Sequence, residues 1–119
     1  MIKGIAGVII WTANLPRLRS FYTDVLGLKP FSTHDYSVSF AWGDLRLRIA
    51  SHSSIKGKNA DPLRVMVNLA VDDIHEVYKS MLGKGTAFMR PPEMEEWGGW
   101  VSTFSDPDGN ILQLMQLPK

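Results

Sequence analysis

The sequence contains no cysteine, and that absence removes several chemistries at once. Disulfide staples, thiolate nucleophiles and zinc sites built on sulfur are all excluded. Long hydrophobic runs are missing too. The longest, Ile5 to Trp11, is far too short to span a bilayer and lacks a signal peptide's cleavage region. It reads as a core strand, and a cytoplasmic location without membrane contact is expected. Charge of one sign is scarce: thirteen basic residues face twelve acidic ones, and a net charge of +1 gives no field for nucleic acid. No Ser-His-Asp arrangement, Cys-His pair or phosphate-cradling glycine loop is visible, so no catalytic residue is assigned. What remains is an ordinary composition, 45% apolar and 21% charged over 119 residues. That is enough for one domain over 1–119 with a proper core.

Residues from about Lys3 to Trp11 read as a buried strand, β-branched at Ile5, Val8, Ile9 and Ile10. Asn14 then suits a helix N-cap, with Pro16 in the first turn, where its missing N–H costs nothing. Leu15, Leu18, Tyr22, Val25 and Leu26 keep helical spacing, and Gly27 sits where a helix terminates. Strands are expected at Leu28–Ser32, Tyr36–Trp42 and Leu45–Ala50, the last two joined by a tight turn at Gly43-Asp44. A polar linker, Ser51 to Pro62, separates this half from the next. There a strand at Arg64–Val71 leads to a capping box, Asp73 with Glu76. Ile74, Val77, Tyr78, Met81 and Leu82 then keep helical spacing until Gly83 and Gly85. A short strand, Thr86–Met89, a long loop from Arg90 to Gly99, and strands at Trp100–Phe104 and Ile111–Leu117 complete the chain.

Both halves therefore read β-α-β-β-β, with module one over about 1–50 and module two over about 63–119. Leu15 and Ile74 open the two helices, Gly27 and Gly85 follow them, and Gly43-Asp44 and Gly109-Asn110 occupy the same last hairpin. This internal repeat is a stronger signal than any single motif. The final turn, Asp106-Pro107-Asp108-Gly109-Asn110, is dense in residues that bond nearby backbone or take positive φ. It feeds the strand that carries Gln113.

The stretches Asn14-Leu15, Phe21-Tyr22-Thr23-Asp24-Val25-Leu26-Gly27-Leu28, Val71-Asp72-Asp73-Ile74, Trp97-Gly98-Gly99 and Asp106-Pro107-Asp108-Gly109-Asn110 together resemble the vicinal oxygen chelate superfamily. That family includes glyoxalase I, bleomycin-resistance proteins and extradiol dioxygenases. The resemblance covers almost the whole chain. It implies an α+β fold in which two βαβββ modules form a curled mixed sheet around a concave cleft, with two chains cooperating as a homodimer. It fixes no chemistry, because one fold hosts many functions.

Metal-dependent members place a ligand, often His, in the first strand; the matching position here is Gly7. A second His falls at Met66, and the closing carboxylate of the last strand falls at Gln113. The equivalent strand of module one carries Arg46 and Arg48. Glycine has no donor, a thioether is soft, and a guanidinium repels a cation, so no metal and no cofactor is expected. His34 in a turn, His52 in the linker and His75 in the second helix's first turn read as surface residues.

If Gly7, Met66 and Gln113 share the inner face, alternation adds Ile9, Trp11, Asn68, Ala70 and Met115 to it. Val8, Ile10, Val67 and Leu69 then face the helices, and Arg46 and Arg48 lie in or near the cleft. Trp97 and Trp100 border it from the long loop. The candidate ligand-binding set is thus Trp11, Arg46, Arg48, Met66, Asn68, Trp97, Trp100 and Gln113. Plainer roles stand beside these: core or dimer interface for Trp11 and Trp100, a sheet rim for the two arginines, packing for Met66. Glu93, Glu95 and Glu96 suit a solvated loop, and Gly98-Gly99 a hinge. An apolar, aromatic face with amides and guanidinium groups suits a small planar or aromatic molecule. The expected function is metal-independent small-molecule binding of the drug-resistance kind. The alternative is a metal-dependent or divergent lyase, isomerase or dioxygenase acting on a small organic substrate, and a third reading is a structural or partner-binding domain with a vestigial cleft.

Overall fold

Each half of the chain builds one four-stranded mixed sheet, with a helix between its first and second strands. The computed structural model describes residues 1–119. The chain divides into two compact units, Met1–Gly57 and Lys58–Lys119. No helix is long and apolar enough to cross a membrane.

In the first unit, β1 (Gly7–Thr12) leads to α1 (Leu15–Ser20), then β2 (Ser32–His34), β3 (Ser37–Trp42) and β4 (Leu45–Ser51). The strand order is β1-β4-β3-β2, with β1 parallel to β4 and the others antiparallel. Asn14 caps α1 by accepting from the Arg17 N–H, and Pro16 lies in the first turn. The helix does not continue as a regular α-helix to Leu26: Phe21–Val25 forms a π-helical turn, closed by the Leu26 N–H donating to the Phe21 carbonyl at 3.0 Å. The widened turn inserts a residue, so the neighbours Phe21 and Tyr22 are both buried. Gly27, at φ 72°, then lets the chain leave the helix while the Leu28 N–H bonds back to the Tyr22 carbonyl. Leu15, Leu18 and Tyr22 are buried with Val38 and Phe40 of β3 and Leu47 and Ile49 of β4, and Tyr22 stacks on Phe40.

The second unit repeats the plan with β5 (Val67–Ala70), α2 (Ile74–Gly83), β6 (Ala87–Met94), β7 (Trp100–Ser105) and β8 (Ile111–Gln116), in the order β5-β8-β7-β6. Asp73 caps α2 by accepting from the N–H groups of His75 and Glu76. Gln116 adds a third cap contact, its Oε1 accepting from the Ile74 N–H at 2.8 Å. Ile74 and Met81 are buried with Phe104, Leu112 and Leu114, and Tyr78, Phe88 and Phe104 form a chain of ring contacts. The fold is therefore α+β, built from two βαβββ modules whose sheets do not close on themselves.

Four strands differ from expectation by more than one residue, each for a local reason. β1 begins at Gly7 and β5 at Val67, because the residues before them join no ladder. β2 is Ser32–His34 rather than Leu28–Ser32, since Pro30 has no N–H to offer β3. β6 runs on to Met94 through a segment expected as loop. Two register shifts against β7 accompany it, one between Phe88 and Arg90 and one across Pro91-Pro92, each admitting one extra residue. Edge strands tolerate such bulges.

One buried polar atom lacks a partner: the Thr86 hydroxyl, at the entrance to β6. Thr86→Val keeps the shape and removes the orphan, so it should leave stability unchanged or raise it by up to about 1 kcal/mol in urea melts. A loss of that size would show that the hydroxyl has a partner.

Candidate functional site

Each sheet carries its helix on one face, and strand alternation decides which side chains reach the other, which is open along β1 and closely covered at Val101, Thr103 and Ile111. In the first unit Gly7, Ile9 and Trp11 of β1 lie on that face; Ile9 and Trp11 remain 47% and 43% exposed. The ladder places Arg46 beside Gly7 and Arg48 beside Ile9. On its other side Arg48 pairs with Ser39, which pairs with Ser32. The row across the sheet is thus Ile9, Arg48, Ser39, Ser32, flanked by Trp11, Ala50 and Ser37.

The two arginines are held differently. Arg46 Nη1 donates to the carbonyls of Gly43 at 2.7 Å and Leu45 at 3.2 Å, and its guanidinium lies 4.3 Å from the Phe31 ring centroid. Arg48 makes a single long contact, Nη2 to Ser37 Oγ at 3.4 Å. Trp11 is braced by His52, whose ring meets it edge-on with centroids 5.1 Å apart. His52 is itself fixed, since its Nδ1 accepts from the Ser54 N–H at 3.0 Å. The linker histidine is exposed, as expected, and also supports Trp11.

In the second unit the registers place Asn68, Gln113, Thr103 and Arg90 side by side on four adjacent strands. Gln113 Nε2 donates to Thr103 Oγ1 at 3.2 Å. Arg90 Nε donates to Glu93 and Nη2 to Glu95, each at 2.6 Å. The hydrogen bond to Glu93 and then that to Glu95 raise the Arg90 pKa above its ordinary value, so the guanidinium stays charged. Glu93 and Glu95 are thus partners of Arg90, not members of a free solvated loop. Met66 precedes β5 and is 38% exposed.

Two expected members stand apart. Trp100 pairs with Gln116, and both turn toward α2, where the Trp100 ring meets His75 at 4.7 Å. Trp100 therefore lies on the helix-facing side, opposite Gln113. Trp97 sits in the turn that closes the β6–β7 hairpin, its ring over Gly99 in the space a Cβ there would need. Arg90 and Thr103 were not among the expected residues. Thr103 follows from assigning Phe104 to the core, since alternation then sends Thr103 to the open face. Arg90 depends on the bulges. A shallow recess of about 360 Å³ lies beside Ala70, Asp72, Met115 and Leu117, and none of the eight candidate residues lines it.

The positions that the sequence resemblance matches to metal ligands, Gly7, Met66 and Gln113, offer a divalent cation few donors. A Cβ built on Gly7 would stand 2.5 Å from the Arg46 carbonyl oxygen, so that position lacks not only a donor but room for one. Met66 offers a thioether, and the Gln113 amide is engaged with Thr103. No group of three or more His, Asp or Glu side chains with ligating geometry occurs in the chain.

Comparison with known proteins agrees with this architecture. Uncharacterized protein YetH of Bacillus subtilis is 26% identical over 123 residues, 98% of this chain and 100% of that protein. A bleomycin resistance protein from Klebsiella pneumoniae is 32% identical over 83 residues, covering 62% of each chain. Among solved structures, a protein of unknown function from Agrobacterium tumefaciens has a TM-score of 0.81 at 20% identity, covering 98% of this chain and 95% of that one. A glyoxalase/bleomycin resistance protein/dioxygenase from Nocardioides has a TM-score of 0.79 at 18% identity, covering 100% and 86%. At these identities the solved structures share the fold. The model of the Glyoxalase/Bleomycin resistance protein/Dioxygenase superfamily matches residues 4–114, and the chain belongs to that superfamily.

Proposed function

We propose that the protein binds a small planar or aromatic molecule without a metal, in the manner of a sequestering or resistance protein rather than an enzyme. The observation that carries this reading is the open face of the first sheet, where Ile9 and Trp11 stay about half exposed beside Arg48. Apolar and aromatic surface next to a few directed polar groups is the usual make-up of a small-molecule site. The likeness to the Klebsiella bleomycin resistance protein supports it, and so does the poor fit of Gly7, Met66 and Gln113 to a cation. The working form is a homodimer, which would cover exposed apolar side chains such as Trp42 and Tyr36 of one unit and Val65, Met89 and Met94 of the other.

A thermal-shift screen of planar aromatic compounds, with chelator and with a panel of divalent metals, tests this. A ligand at about 100 times its dissociation constant stabilises the native state by about 2.7 kcal/mol, a rise of several degrees for a domain of this size. Stabilisation by organic compounds in chelator is the expected result. Stabilisation by manganese, iron, nickel or zinc alone would overturn it and put a lyase, isomerase or dioxygenase first.

A further inference from the structure

We infer that the open face of the first unit selects a planar aromatic monocarboxylate, with Arg48 as the anchor of its carboxylate and Arg46 outside the binding interaction. This rests on the small-molecule reading above and adds to it the chemical class of the ligand and the residue that reads it.

The two arginines look equivalent in the sequence and are not equivalent in the sheet. Arg46 is turned back onto the Gly43-Asp44 hairpin by two carbonyl acceptors and covered by Phe31. Its Nη1 and one face of its guanidinium are engaged. Arg48 lies in the middle of β4 with no carboxylate partner and one stretched contact to a neutral hydroxyl. A guanidinium fork held by a rigid strand pairs in bidentate fashion with a carboxylate.

Its neighbours supply the rest of the site. Ser39 stands directly across the ladder from Arg48, and its hydroxyl shares a 2.5 Å hydrogen bond with Ser32. Ser37, one step along the same strand face, already touches Arg48. Adjacent strands lie about 4.8 Å apart, so these hydroxyls can reach the anion that the guanidinium holds. On the other side, Ile9 is the register partner of Arg48, and Trp11 is braced by an edge-on contact from His52 rather than covered by a stacked ring. A carboxylate on Arg48 therefore places an attached ring over Ile9 and Trp11. A single guanidinium directed over this face, with neutral hydroxyls beside it, suits a monoanion; a phosphate dianion would need Arg46 as well, and that side chain is turned back onto the hairpin.

The test uses the full chain in chelator, with calorimetric titration of 2-naphthoate, its neutral analogue 2-naphthamide, and inorganic phosphate. Naphthoate should bind about tenfold or more tightly than naphthamide. Arg48→Gln should remove that preference, Arg48→Lys should retain part of it, and Arg46→Gln should leave it unchanged; circular dichroism checks that each variant is folded. Equal binding of naphthoate and naphthamide, or equal losses in Arg46→Gln and Arg48→Gln, would overturn the carboxylate anchor while small-molecule binding survives. Phosphate binding without naphthoate would overturn the ligand class. Binding of none of the three would overturn the inference, and the broader reading would then stand or fall on the thermal-shift panel.

Discussion

Asp106→Ala should lower the stability of the protein by about 3 kcal/mol, a fall of roughly 9–18 °C in melting temperature for a domain of this size. Asp106 is 5% exposed, and its carboxylate organises the turn that feeds β8. Its Oδ1 accepts from the N–H groups of Asp108 at 2.9 Å and Asn110 at 3.0 Å. Its Oδ2 accepts from Asn110 Nδ2 at 2.9 Å, which fixes the orientation of that amide. Asn110 Oδ1 is thereby aimed at Asn59, whose Nδ2 donates to it at 2.9 Å. Asn59 is tied to the same turn through its backbone, its N–H donating to the Asp108 carbonyl. One carboxylate thus holds the turn, the Asn110 amide and residue 59 of the linker. Truncation leaves three donors without their acceptor, and buried donors left unpaired cost about 1–3 kcal/mol each before any relief from water. Asp106→Asn should cost less, because it keeps one oxygen for the backbone donors, but its new amide donor would face the Asn110 amide. Urea melts of both variants decide the matter: a change below about 0.5 kcal/mol in each would mean the turn is held by Gly109 and Pro107 conformation alone.

The features that were legible in the sequence are those set by local chemistry. Asn14 and Asp73 do cap the helices, Gly27 does take a left-handed conformation, and the βαβββ repeat is present in both units. The run expected as a buried strand is not buried: Ile5, Ile9 and Trp11 stay exposed and Val8 and Ile10 are only partly buried, because an unbroken apolar run carries no period to mark its outer face. The faces of β7 are hidden for a related reason. Val101, Ser102, Thr103 and Phe104 are all buried, so hydrophobicity carries no period of two there, and Trp100 was set on the wrong side. β6 is longer than the sequence suggests because two prolines read as a loop, whereas an edge strand accepts them with bulges. Those bulges decide that Arg90 stands opposite Thr103. The difference between Arg46 and Arg48 was illegible for another reason: it depends on Phe31 and on the Gly43 carbonyl, contacts that exist only after folding.

Gly7→His places the residue type of a metal-dependent relative at the matching position, and it should fail on two counts. It should lower stability by about 1–3 kcal/mol, or roughly 3–18 °C, and should create no metal affinity. The reason lies in the β1–β4 ladder. Gly7 is the register partner of Arg46, and a Cβ on it would stand 2.5 Å from the Arg46 carbonyl oxygen and 3.4 Å from the Arg46 Cβ. The obstructing atom is backbone in a paired strand, so it cannot swing aside as a side-chain tip would. The neighbouring Arg46 N–H donates to the Ala6 carbonyl at 3.0 Å, and shifting β1 outward would stretch that bond as well. Gly7→Ala separates the two effects, since it adds the steric clash without a donor and should cost nearly as much. Thermal melts of both variants, with and without zinc, manganese and nickel, read the outcome. A Gly7→His variant that melts with the wild type would show that β1 sits farther from β4 than 2.5 Å implies. If such a variant also gained several degrees with metal, the absence of a cation from the proposed mechanism would have to be abandoned. If both variants melt early and ignore metal, glycine at this position is a condition of the sheet's close packing, and loss of the ligand is built into the backbone rather than into one side chain.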